Sequence, residues 1–191
     1  MKKRINRPWI LFLTVTLIFT VAFNVETMGQ QSKKELRKEK KAQKEKEQQE
    51  AFLAAKAAML DTSFVIPAES IQFERGAYIP VTGNINFLKI TGNESVLQIG
   101  STFAAGTGLN DLGGVTLKGR VANLKISQKK DNVYMRYVLS GIVGTANISV
   151  SINGSDQAVV NVDGMFSGKS FTMQGTLVRP EDASIYQGTD Y

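Results

Sequence analysis

The groups best able to do chemistry in this chain are carboxylates. The C-terminal two-thirds holds Glu69, Glu74, Glu94, Asp111, Asp131, Asp156 and Asp163. Glycoside hydrolysis needs two such groups at a fixed separation, one as acid and one as base or nucleophile. Most of the seven fall in or beside turn signals, where Asp and Asn satisfy backbone donors. Spacing singles out no pair. Histidine and cysteine are both absent from the 191 residues. There is therefore no His general base, no thiolate nucleophile, no disulfide, and no zinc or haem site built from those ligands. The pattern points to a non-enzymatic protein with no cofactor and no metal. A carboxylate-dependent hydrolase is the remote alternative.

Two further groups of residues could hold a ligand. Residues 104–114 read AAGTGLNDLGG and form the longest loop. Gly106-Thr-Gly108 resembles the start of a dinucleotide fingerprint. The third glycine would fall at Asp111, and no helix follows to present its N-terminus to a phosphate. A lid at a barrel mouth is the better functional reading, with Gly106, Gly108, Asn110 and Asp111 as the ligand-mouth residues. A plain connection is the other. The aromatic residues Phe87, Phe103, Tyr137 and Phe171 are candidates to line an interior. Tyr137 alternates with Val133, Met135 and Leu139 on one face, while Tyr134 and Arg136 point the other way.

Those residues are positioned by three segments. Residues 1–8 are basic, 9–23 are an uncharged apolar run of 15, and 24–30 are polar with small residues. This is the layout of a secretory signal peptide, and 15 residues are short of the about 20 that cross a bilayer. Cleavage is expected near Gly29. The protein is then exported to the periplasm or cell envelope, touching membrane only through an uncleaved leader. Net charge is +3 over residues 1–29, +4 over 30–60 and −1 over the remainder. The basic excess is N-terminal, so the folded part lacks the basic surface that nucleic acid requires.

Residues 30–60 form a charged helix. From Ser32 to Leu60 there is no Gly or Pro, and Ala, Lys, Glu and Gln dominate. Ser32 and Glu35 fit a capping box. Lys33 to Glu50 is polar all round, as in a solvated spacer. Phe52, Ala55 and Met59, with Leu53 and Leu60 beside them, make an apolar stripe that should dock on the following domain.

Residues 61–191 change to a period of two. In 145–152, Ala146, Ile148, Val150 and Ile152 face one way; in 170–177, Phe171, Met173 and Leu177 do. Such alternation marks antiparallel sheet with one buried face. Turn signals, Asn153-Gly154 the strongest of them, separate eight or nine strands near 64–73, 77–82, 84–91, 95–103, 115–127, 133–143, 145–152, 157–163 and 170–178. The inward parity of 115–127 flips near Ala122-Asn123, from Val115, Leu117 and Val121 to Leu124 and Ile126, which predicts a bulge. Gly119, Gly141 and Gly175 interrupt strands at mid-length, where a bend or close backbone approach is expected. The fold class is mainly β: a small up-and-down antiparallel barrel of eight to nine strands after one long charged helix. An antiparallel sandwich is the alternative.

The runs Asn84-Ile-Asn-Phe-Leu-Lys-Ile-Thr-Gly-Asn93, Gly113-Gly-Val-Thr-Leu-Lys-Gly119, Lys129-Lys-Asp-Asn-Val-Tyr134, Asn153-Gly-Ser-Asp156 and Gly175-x-Leu177-x-x-Pro180 together resemble a family. It is the family of secreted Bacteroidota proteins called domain of unknown function 4251. The resemblance covers roughly residues 50–188. It implies a lipocalin-like barrel and no assigned activity. The functional expectation is an envelope barrel that binds a small apolar or amphipathic ligand. The alternative is a structural or protein-interaction module of the envelope that uses the helix.

Overall fold

The computed structural model describes residues 8–73, 76, 78–100, 114–165 and 169–188, with side chains described from Lys33 onward except Met165 and Lys169. Helix α1 spans Pro8–Leu60. The expected capping box is corrected here: Ser32 and Glu35 lie inside the helix rather than at its start. The apolar run before them is itself helix-forming, and a lone glycine, Gly29, costs a helix only about 1 kcal/mol. The chain divides into two units, Met1–Glu47 and Gln48–Tyr191. In the first unit, the described side chains from Lys33 to Glu47 are all exposed. They support the helix by i,i+4 pairs such as Lys41–Glu45 at 3.7 Å and Gln43–Glu47 at 3.0 Å, each of small value in water. Over the described side chains, no helix is long and apolar enough to cross a membrane.

The second unit begins with the last turns of α1 and continues as nine strands: β1 Ser63–Phe73, β2 Ile79–Pro80, β3 Phe87–Thr91, β4 Glu94–Ile99, β5 Val115–Lys129, β6 Asn132–Gly141, β7 Gly144–Asn153, β8 Gln157–Met165 and β9 Lys169–Thr176. Each strand from β3 to β8 pairs antiparallel with the next, and β1 pairs with both β3 and β9. The sheet therefore closes into an eight-stranded antiparallel barrel. β2 is an extra strand alongside β1, paired at Ser70↔Pro80 and Ile71↔Ile79. Closure removes the exposed edges that an open sheet would present.

The predicted bulge is present. The β5–β6 register shifts between Ala122 and Lys125, and Asn123 takes φ 55°. Asn tolerates this left-handed conformation better than most residues. The bulge restores Ile126 to the core side opposite Met135, but Leu124 stays exposed, at 38 %. That corrects its expected inward place: Leu124 falls within the bulge, where the ladder is interrupted. The glycines mark close approaches. A Cβ on Gly119 would stand 1.9 Å from the Ser140 carbonyl oxygen, and one on Gly175 would stand 2.0 Å from that of Pro67. The Asn153-Gly154 hairpin is wider than a two-residue turn. Asn153 still pairs with Asn132, Ile152 pairs with Ala158, and Gly154 alone takes the positive φ.

One contiguous core fills the barrel. Among the described residues it draws on all eight barrel strands, with Ile66, Leu88, Leu97, Leu117, Met135 and Ile148 among its fully buried members. The helix end contributes Phe52, Ala55, Ala58 and Met59 to the same cluster. Leu53 and Leu60, expected beside that stripe, are half exposed on the other side of the helix. The helix enters at the barrel end that holds the β3–β4 turn, where the Gly92 N–H donates to the Thr62 carbonyl at 2.8 Å. We call this the helix end. The opposite end, called the mouth, holds the close of β1, the end of β4, the start of β5, the β6–β7 turn and the start of β9.

A second, smaller cluster lies on the outside of the wall. Val65, Phe87 and Val96 are buried there beneath Val178, Ala183 and Ile185. The segment 179–188 is tied down as a strap. Tyr186 N–H donates to the Asn84 carbonyl at 2.7 Å, and the Gln98 amide donates to the Tyr186 carbonyl at 2.8 Å. The Gly188 N–H and the Thr116 hydroxyl both donate to Gln98 Oε1, at 2.8 and 3.1 Å. Gln98, Thr116 and Asn86 are thus buried polar groups with partners, as burial demands. The Asn86 amide donates to Thr82 and its oxygen accepts from Gly100.

Candidate functional site

The interior candidates separate. Tyr137 and Phe171 belong to the core cluster. Phe87 does not: it faces outward under the strap, because it pairs opposite the outer positions Pro67 and Gln98. Phe103, with the loop residues Gly106, Gly108, Asn110 and Asp111, lies outside the described residues. So do Glu74 and Phe166. The remaining carboxylates are dispersed. Glu69 accepts from the Thr176 hydroxyl at 2.8 Å, Asp163 accepts from the Ser170 hydroxyl, and Glu94, Asp131 and Asp156 flank turns. Among the described residues no three of His, Cys, Asp and Glu gather as metal ligands would.

Among the described residues, the polar chemistry inside the barrel is one pair. The hydroxyls of Ser95 and Tyr137 stand 2.9 Å apart, and Ser95 also donates to the Lys89 carbonyl at 2.9 Å. With Ser95 committed to Lys89, the Tyr137 hydroxyl is the donor between the two. Burial pushes the Tyr137 phenol well above its ordinary value near 10, and the Ser95 bond offsets this in part. A phenol so placed stays protonated and acts as a structural donor, because ionising it in an apolar interior is costly.

The mouth carries a feature that spacing alone had not singled out. The β6–β7 turn is Gly141-Ile-Val-Gly144, with Gly141 paired to Gly144 and only Ile142 and Val143 between them. Tight hairpin turns are normally built from Gly, Asn or Asp. Here two β-branched apolar residues occupy the tip, and Gly144 supplies the positive φ of 148°. Ile142 is 92 % exposed. Around the same barrel end, Phe73, Val115 and Val143 are only partly buried against the core, and the Phe73 and Phe171 rings pack 5.7 Å apart. A groove of about 520 Å³ opens beside this turn, lined by Thr116, Lys118, Arg120, Ser140, Ile142 and Val143 over Gly119 and Gly141. A smaller groove of about 270 Å³ runs between β1 and the strap and includes Glu69 and Asp182.

These features define a small closed antiparallel barrel with a helix at one end and an apolar rim at the other. The chain belongs to the family described as Domain of unknown function (DUF4251), whose sequence model matches residues 45–177. That span includes the docked end of the helix and all nine strands. A solved relative is the DUF4251 family protein from Bacteroides eggerthii DSM 20697, determined by crystallography. It shares 27 % identity with a TM-score of 0.64, over 77 % of this chain and 99 % of that one. No curated protein matches the chain.

Proposed function

We propose that this is an exported, non-enzymatic envelope barrel that binds a small apolar or amphipathic ligand at its mouth. The observation that carries the reading is the Ile142–Val143 turn. Nothing in hairpin geometry calls for two β-branched apolar residues at a solvent-facing tip, and leaving them there in water is unfavourable. Exposed apolar surface at this tip, with Val143 and Val115 only partly buried at the same barrel end, is the usual mark of a contact surface. The filled interior directs a ligand to the rim rather than deep into the barrel. The signal-like leader supports export, and the absence of His and Cys supports a binding role over catalysis.

Native mass spectrometry of the protein recovered from its own cells tests this. A retained small lipophile, released by organic solvent and lost on Ile142→Ser, is the expected result. The bare protein mass, with nothing in the solvent extract, would overturn it.

The exposed stretch Lys33–Glu50 favours a second reading, an envelope interaction module that uses the helix as its arm. Deleting residues 31–50 would then abolish a cross-linked partner, and an unchanged set of partners would count against it.

A further inference from the structure

The groove beside the mouth has a distribution of charge that narrows the ligand. Strand alternation places Thr116, Lys118 and Arg120 on the outer face of β5 in one row, successive members about 7 Å apart. Ser140 is opposite Arg120 on β6. The β5–β6 ladder closes at Gly119↔Gly141, so residues 115–118 run on past the end of β6. The groove forms where the two strands part. Gly119 and Gly141 belong to its lining, as do Ile142 and Val143 of the turn. Among the described residues the lining holds two cations, the Ser140 hydroxyl and no carboxylate, the Thr116 hydroxyl being given to Gln98. This is a local feature, because residues 61–191 carry a net charge of −1. Glu94 is in register with Arg120 across the β4–β5 ladder and is the acidic neighbour on that side. The volume of about 520 Å³ falls within the range of small-molecule sites.

We infer that this groove receives the head of an anionic amphiphile, a single-chain carboxylate. Its carboxylate sits between Arg120 and Lys118, and its chain runs over Ile142 and Val143. The inference rests on the mouth reading above and narrows it. A guanidinium presents a planar fork that matches a carboxylate with two parallel hydrogen bonds. The Ser140 hydroxyl, opposite Arg120, can donate to the same oxyanion. An adjoining apolar tip is what a chain attached to that head requires. A simple inorganic anion would make no use of Ile142, and a neutral lipophile would make none of Arg120.

The test uses laurate and dodecanol, which share a chain and differ in the head, titrated below micelle formation into the folded protein by calorimetry. Laurate is expected to bind at least about tenfold more tightly than dodecanol, the scale of one charge-assisted hydrogen-bonded pair. Arg120→Gln should erase that difference and leave dodecanol unchanged, Arg120→Lys should keep part of it, and Glu94→Gln should enlarge it. Ile142→Ser should weaken both probes. Equal binding of the two probes, with Arg120→Gln silent, would overturn the head assignment and leave the mouth reading standing. Failure of both probes to bind, with the circular dichroism of the barrel intact, would remove the mouth reading and this inference together.

Discussion

Replacing Met59 by Ala tests whether the helix end is part of the barrel core. Met59 has no exposed surface and packs in the cluster that fills the barrel. Truncating a fully buried Met costs about 3 kcal/mol, from lost transfer energy and the cavity left behind. For a unit of this size, roughly 3 °C of melting temperature is lost per kcal/mol, which gives a fall of about 10 °C. Leu53→Ala is the control on the same helix. Leu53 is 53 % exposed, so the loss should stay within about 0.5 kcal/mol, or 2 °C. Helix propensity cannot produce the contrast, since Ala is the better helix former in both cases. Thermal unfolding followed by far-ultraviolet circular dichroism gives the comparison directly. Equal shifts for the two variants, or a larger one at Leu53, would refute the docking of the helix by its Phe52–Ala55–Met59 face.

Three other outcomes follow from the same packing. The folded state keeps the Tyr137 proton above pH 10 while the unfolded chain loses it, so the folded state binds more protons there. Stability should fall as pH rises past about 10, by up to about 1.4 kcal/mol per pH unit. Tyr137→Phe should flatten that slope in urea titrations at pH 9 and pH 11. Ending the chain at Val178 removes the strap and uncovers Phe87. This should cost at least the about 2 kcal/mol of burying one Phe and should increase binding of a hydrophobic dye. At the bulge, Asn123→Gly should be neutral or mildly stabilising. Asn123→Val should cost about 1–2 kcal/mol in the urea midpoint, because a β-branched residue resists φ 55°.

What the sequence disclosed follows from how many faces of each element are buried. β7 has one buried and one wet face, so TANISVSI alternates, and Ala146 through Ile152 could be placed inward from pattern alone. The bulge was legible for the same reason, as a break in parity. β3 and β4 were harder. With the core on one side and the strap on the other, both faces of FLKIT and of ESVLQI hold buried residues, and alternation no longer says which way Phe87 points. Leu53 and Leu60 misled because side-chain hydrophobicity suggested burial, whereas Ala55 and Ala58 permit the close approach. At the mouth, the signal was present but of another kind. It was the wrong residue types for a turn at Gly141-Ile-Val-Gly144, a local rule broken where function could account for it. The loop residues Gly106, Gly108, Asn110 and Asp111 lie outside the described residues, so their proposed part as a lid rests on sequence.

Methyl-selective nuclear magnetic resonance of the folded protein with added laurate tests the binding reading most directly. The account predicts saturable shifts at Ile142, Val143 and Val115, fading toward Ile66 and Leu88 in the filled core. Shifts confined to Val81, Val178 and Ala183 along the strap groove, or no saturable shift at any methyl, would contradict it.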